Sequence, residues 1–381
     1  MAAAPDDIPE PDRIEGAPHP RETAHLFGHE GAQAEFLSAF NTGRLHHGWM
    51  VTGPRGVGKA TLAWRLARFL LATPEDDGGM FAPEKPDTLD IDGGHPVARR
   101  MRALAEPRLF LLRRPWDEKT SRLRQEITVG EVREMKSFFS LSAADGGRRV
   151  AIIDAADEMN TAAANALLKL LEEPPANVTI FLISHQPFKL LPTIRSRCRE
   201  LRLHPLAPAP LADALTQAGA ALEPDEAQAL AQLAGGSVGE AFRLTNLSGL
   251  ALYQSIVTLL STLPRLDRPR ALALAEAGAA RGAEAQFDLI LTLLDLFLAR
   301  LARAGAMRQL PPEAAKGEAE AITRLAPDVA SARAWATLAQ TLGLKARRGK
   351  AVNLDPAALL MDMLFRLEET AAPLALNKAG P

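Results

Sequence analysis

Short apolar runs alternate with stretches of helical spacing through the first half of the chain. Five candidate strands stand out, at 48–52, 108–112, 149–154, 179–184 and 199–203; the first four are largely apolar, and 199–203 mixes charged residues with Leu201 and Leu203. Continuous apolar runs of this length read as strands buried on both faces. Between them, approximately 31–42, 59–71, 129–141 and 162–171 carry apolar residues at helical spacing. The last of these helices has explicit punctuation, since Asn160-Thr161 supplies a cap and Glu172-Glu173-Pro174-Pro175 a stop. Strands alternating with helices predict an α/β fold, a five-stranded parallel sheet covered on both faces with its ligand edge at the strand C-termini.

Past His204-Pro205-Leu206 the strand pattern ends and an Ala- and Leu-rich helical pattern takes over. Residues 206–248 read as a small helical bundle, and 250–371 as a second helical unit. Its amphipathic segments lie at Ala251 to Leu263, Gln286 to Ala304, Ala330 to Leu342 and Pro356 to Glu369. Residues 1–24 are rich in Pro, Asp and Glu and are expected to form a disordered tail. A core domain is therefore expected over 25–205, with a flexible C-terminus at 372–381. Residues 72–107 are expected to be loop-rich.

Composition narrows the functional classes. A chain of 381 residues with 47% hydrophobic content can bury more than one core, and a net charge of −2 excludes a molecule that binds nucleic acid by its overall charge. The single cysteine, Cys198, excludes an intrachain disulfide and a cysteine zinc site. The acidic N-terminus is unlike a signal peptide, and the most apolar later run, Phe287 to Leu298, is short and contains Asp288 and Asp295. These features fit a soluble cytoplasmic protein with no membrane partner.

The clearest local chemistry follows the first strand. Gly53-Pro54-Arg55-Gly56-Val57-Gly58-Lys59-Ala60-Thr61 has the strand, glycine loop and helix context of a phosphate-binding loop. Gly53, Gly56 and Gly58 would let backbone N–H groups curl around phosphate, Lys59 would reach the outer phosphates, and ATP or ADP is the cofactor implied. The hydroxyl that usually follows the lysine is replaced by Ala60, with Thr61 one place late, so a relic loop that keeps only its shape is the competing reading. Asp154 ends the third strand as the candidate Mg²⁺ carboxylate, and Ala155 follows it. Asp157 and Glu158 belong to the next turn and are not obvious substitutes for a catalytic acid. His95, Asp90 and Asp92 read as solvated loop residues; no zinc or other metal site is expected, nor a two-metal polymerase or nuclease centre. Arg113, Arg114, Lys119, Arg122 and Arg124 form a basic run that reads as a solvated surface before it reads as a DNA contact.

Asn165-Ala166-Leu167-Leu168-Lys169-Leu170-Leu171-Glu172-Glu173-Pro174-Pro175, with Ser196-Arg197-Cys198 further on, resembles the signature of AAA+ sliding-clamp loader subunits. The resemblance covers the chain after its N-terminal tail. It implies an AAA+ P-loop core, a helical lid over 206–248 and a collar domain for oligomerisation over 250–371. Ser184 matches the sensor position at the end of the fourth strand. Where active relatives carry a lid arginine after Gly-Ser, this chain has Gly236-Ser237-Val238-Gly239. Arg197 matches the residue that reaches into a neighbour's ATP site in such rings, the alternative being an ion pair within its own fold. The pattern is therefore similar to a non-hydrolysing, stator-type member. It implies gamma/tau-type ATPase subunits and a delta subunit as partners, with the beta clamp and primed DNA met through the complex. Ala155 and Gly239 argue against the alternative of an active gamma/tau-type ATPase, and the long signature argues against a stand-alone P-loop protein.

Overall fold

The computed structural model describes residues 10–74, 85–141, 147–220 and 222–376, which fall into two compact units. The first comprises 10–220 with 236–240, and the second 222–235 with 241–376. The stretch 206–248 is thus shared between the two.

In the first unit, α1 (Glu30–Asn41) precedes β1 (Gly48–Thr52), α2 (Lys59–Ala72) and α3 (Pro96–Arg102). Then come β2 (Leu109–Arg113), the hairpin β3 (Trp116–Asp117) and β4 (Arg122–Leu123), and α4 (Val129–Leu141). The unit continues through β5 (Arg149–Asp154), α5 (Thr161–Glu172), β6 (Val178–Ser184), α6 (Pro192–Arg195), β7 (Arg199–Arg202) and α7 (Pro208–Gln217). The main sheet is wholly parallel in the order β2-β5-β6-β1-β7, so β6 separates the P-loop strand from the strand that ends in Asp154.

Alternation along each strand divides the core between the two faces. Trp49, Val51, Val150, Ile152, Phe181 and Ile183 pack with Phe36 of α1 and the apolar face of α2, while Met50, Ala151, Ile153, Ile180 and Leu182 pack with α4 and α5. Each large apolar side chain removed from water in this way contributes about 1.5–3 kcal/mol. α5 begins where Asn160 Oδ1 accepts from Ala163 N at 3.0 Å, and it stops before Pro174-Pro175.

The second unit is helical: α8 (Pro224–Leu233), the later part of α9 (Val238–Asn246), α10 (Gly249–Leu260), α11 (Arg268–Ala279), α12 (Glu284–Met307), α13 (Glu318–Leu325), α14 (Val329–Ala351) and α15 (Pro356–Leu376). α12 packs along α14, and α11 along α15, around Tyr253, Phe287, Phe297, Trp335 and Leu364. Inside this unit the buried Glu318 carboxylate accepts from Tyr253 Oη at 2.6 Å, Arg300 Nε at 2.6 Å and Ala314 N at 2.7 Å. No helix among the described residues is long and apolar enough to cross a membrane.

Three expectations need correction. Residues 10–24 are not a disordered tail. They pack on the first unit through ion pairs to residues far along the chain, while 1–9 lie outside the described residues. Residues 372–376 are not flexible terminus but continue α15, and 377–381 lie outside the described residues. The loop-rich stretch 72–107 holds α3, whose first turn His95 caps by accepting from Val97 N; residues 75–84 lie outside the described residues.

Candidate nucleotide site

β1 feeds directly into the glycine loop, and α2 starts at Lys59 with Gly58 at its N-cap. The loop is braced from three sides. Thr52 Oγ1 donates to Glu200 Oε1 at 2.5 Å, and His29 Nε2 lies 2.8 Å from Val57 O. On its outer side Ser237 Oγ donates to Arg55 O at 2.9 Å and Gly239 N to Gly56 O at 3.1 Å. Gly56 has a φ of 72°, and a methyl group on it would strike Ser237 Oγ and the backbone of Gly239. Gly239 is equally confined, because a Cβ there would lie 2.7 Å from Ile14 Cδ1 and 3.0 Å from Gly56 Cα. A side chain at position 239 would therefore have to displace the tip of Ile14 and crowd the backbone of Gly56.

Lys59 is only 6% exposed, and its ammonium turns back on the loop, donating to Gly53 O at 2.8 Å and Pro54 O at 2.5 Å. Burial lowers its pKa to about 8, against the opposing pull of Asp154 and Asp157. Asp154, at the end of β5, is displaced the other way. Burial, then the like charges of Asp12 and Glu158, push it up to about 7, and Lys59 and Arg113 only partly offset them. Both groups are thus driven toward neutrality.

Around this pair, Asp157 Oδ1 accepts from His185 N at 3.2 Å, and Arg55 Nη2 donates to His185 Nε2 at 2.9 Å. Burial holds His185 below its usual range despite the nearby Asp157. Glu158 lies 2.7 Å from Arg114 Nε. Ser184 Oγ is fully buried and has no hydrogen-bond partner among the described residues.

A second layer comes from the N-terminal segment. Arg113, paired with Asp154 across β2 and β5, donates from Nη1 to Glu10 Oε1 and Asp12 Oδ1, each at 3.1 Å. Asp12 Oδ2 lies 3.2 Å from His19 Nε2, and Glu10 Oε1 accepts from Arg21 Nη1 at 2.7 Å. Burial opposes ionisation of Asp12, yet His19 and Arg113 hold its carboxyl below the usual aspartate range. His19 packs edge-on against Trp64 of α2, with ring centres 6.0 Å apart.

Of the residues expected at the site, Gly53, Gly56, Gly58, Lys59, Asp154 and Ser184 converge on the C-terminal edge of β1, β5 and β6, and Thr61 lies in the first turn of α2. Arg197 lies elsewhere, between α6 and β7. Its Nη2 is 3.0 Å from Glu172 Oε1, its Nη1 donates to Thr193 O at 3.1 Å, and its side chain is 38% exposed. The basic run is divided: Arg113 faces Glu10 and Asp12, Arg114 faces Glu158, and Arg122 and Arg124 lie on or beside the exposed hairpin. Asp90 accepts from Arg65 at 2.8 Å, Asp92 accepts from Gly94 N at 2.7 Å, and among the described residues no cluster of three potential ligands could hold a metal ion. Glu10, Asp12, His19 and His29 were not legible as site residues. Their partners are distant in sequence, and only the break in pattern near Leu26 marks the start of packed structure.

Lys59 is thus engaged by its own loop, and the charge of Asp12 acts on Asp154. A parallel sheet with a glycine loop after β1 and an acid at the end of β5 is the architecture of a P-loop α/β protein. Residues 28–207 match the model of the family described as "DNA polymerase III, delta subunit". The chain is 34% identical to DNA polymerase III subunit delta′ of Pseudomonas aeruginosa over 221 residues, 58% of this chain and 61% of that protein. It is 32% identical to subunit delta′ of Escherichia coli over 212 residues, 55% and 58% of the two chains. With Escherichia coli subunit tau the identity is 30% over 281 residues, 68% of this chain and 38% of that protein. The chain spans about three fifths of the length of the two delta′ relatives. The matched half of the chain is thus similar to DNA polymerase III subunits of the delta′ and tau kinds.

Proposed function

We propose that this chain is a delta′-type stator subunit of a DNA polymerase III clamp loader. It assembles with gamma/tau-type ATPases and a delta subunit, and through the complex it helps place the beta clamp on primed DNA. It does not hydrolyse ATP itself. Arg197 instead completes the ATP site of a neighbouring subunit, and the degenerate site at Gly53, Gly56, Gly58, Lys59, Thr61, Asp154 and Ser184 serves as scaffold.

The observation that carries the reading is what is kept and what is lost. A P-loop ATPase needs a Mg²⁺ carboxylate, a group that orients water, and cations that meet the developing charge. Here Ala155 follows Asp154, and Gly239 stands where a lid arginine would be expected. Arg197 remains partly exposed just after α6, held by a solvent-facing pair with Glu172 and a hydrogen bond to Thr193 O. Such a pair is worth about 0–1 kcal/mol, so it orients the guanidinium yet yields readily to a stronger anion such as a neighbour's nucleotide phosphate.

An arginine supplied across an interface contributes on the order of 10³–10⁵ in rate because it acts on charge that develops in the transition state. The test is ATP turnover by the isolated chain, and by its mixture with gamma/tau-type, delta and clamp subunits, with wild-type protein and Arg197→Ala. We expect no turnover by the chain alone, stimulation in the mixture, and a rate reduced by orders of magnitude at the affected site with assembly intact. An unchanged rate refutes the role of Arg197; turnover by the isolated chain refutes the stator reading and favours an active ATPase.

A further inference from the structure

The glycine loop, Asp154 and the lid turn at Gly239 outline a groove at the ligand edge of the sheet, and the chain's own N-terminal segment lies along it. At one end Asp12, with its side chain 1% exposed, and Glu10 are bound to Arg113, the cross-strand neighbour of Asp154. At the other end Ile14 closes on Gly239, which in turn sits on Gly56 of the glycine loop. One residue, Arg13, separates Asp12 from Ile14. The segment therefore touches both the Arg113 side and the Gly56–Gly239 side of the site.

We propose that residues 10–14 are the resident occupant of this groove and exclude nucleoside triphosphates from it. The chemistry on both sides is complementary. Arg113 is the cation that a phosphate arriving beside Asp154 would meet, and its donors are directed at Glu10 and Asp12. Lys59 is satisfied by Gly53 O and Pro54 O. A triphosphate approaching with the segment in place would meet the carboxylates of Glu10 and Asp12 already on the donors of Arg113, with Asp157 and Glu158 nearby, in a poorly solvated site. With the segment withdrawn, Arg113 and the loop amides become available to it. Glu10 and Asp12 act as an internal substitute for the anion, which leaves a P-loop of native shape without a nucleotide. This inference concerns the chain's own groove and stands independently of the role given to Arg197.

The experiment is titration of the full chain with MgATP by isothermal calorimetry, comparing wild type with Glu10→Ala/Asp12→Ala and, for the lid-side anchor, Ile14→Ala. The wild type is expected to show no binding at millimolar nucleotide. Each variant whose circular dichroism is native should bind at least about tenfold more tightly, and Lys59→Ala in the same background should abolish the gain, which places it in the groove. Should the double variant fail to fold, Ile14→Ala carries the test. A folded variant that binds no more tightly than wild type overturns the proposal. So does tight binding by the wild type while hydrogen exchange shows residues 10–14 still protected.

Discussion

Asp154 offers a quantitative test of how the site is built, because its carboxyl is raised from an ordinary 3.8 to about 7. A group that binds its proton more tightly in the folded state adds stability below its unfolded pKa and loses it as pH rises through the folded value. Relative to a side chain that does not ionise, the linkage relation gives a cost of about 2 kcal/mol at pH 5 and about 4 kcal/mol at pH 8. Asp154→Asn keeps the shape and removes the ionisation. Whatever the amide itself gains or loses in packing is the same at both pH values, so the difference isolates the carboxyl. The substitution should therefore become more favourable by about 2–3 kcal/mol between pH 5 and pH 8, an upper value because the side chain keeps some contact with water.

The measurement is urea unfolding at the two pH values, followed by fluorescence of Trp49 and Trp64, both fully buried in the first unit. Equal effects at pH 5 and pH 8, or a variant that loses ground as pH rises, would refute the view that burial and the acidic neighbours Asp12 and Glu158 dominate this site.

Two further outcomes follow from buried groups outside the groove. Burial pushes the Cys198 thiol up to about 12 from an ordinary 9.0, so its alkylation by iodoacetamide at pH 8, read by mass spectrometry, should be on the order of 10³ slower in the native chain than in urea. In the helical unit, Glu318→Ala should cost about 3–5 kcal/mol, because it strands the buried Arg300 together with the Tyr253 hydroxyl and Ala314 N; the shift would appear in the Trp335 unfolding curve, and Glu318→Gln, which keeps an acceptor, should lose less.

β1, β2, β5 and β6 were legible to within about two residues because each is a run of largely apolar side chains bounded by polar or turn residues; β7 is different, a mostly charged edge strand in which only Leu201 is buried. α4 and α5 were legible for the matching reason that their apolar residues fall on one face. α3 was not, because its seven residues follow Gly93-Gly94 and carry three arginines, and α11 shows alternating Ala and Leu rather than a clear stripe. The N-terminal segment was misread for a different cause. Its composition has little to bury, and its order comes from Arg113, about a hundred residues away. A local window sees the acids of such a pair and not the base.

The same physics explains why the P-loop was easy to find and its state was not. Glycines at 53, 56 and 58 and a following lysine specify the backbone path, which a sequence states directly. Whether the lysine faces a phosphate or its own carbonyls depends on which anion lies against Arg113, and Glu10 and Asp12 supply one from within the chain. The loss of Ala155 and Gly239 as functional positions and the gain of this internal anion are mutually consistent. On the proposed stator reading, a chain without the water-orienting acid and the lid arginine gives up no reaction by excluding a triphosphate. Glu10 and Asp12, as the proposed occupants, would hold the loop and the sheet edge behind it in a single arrangement, which is what presenting Arg197 to a neighbouring subunit from a fixed position between α6 and β7 would require.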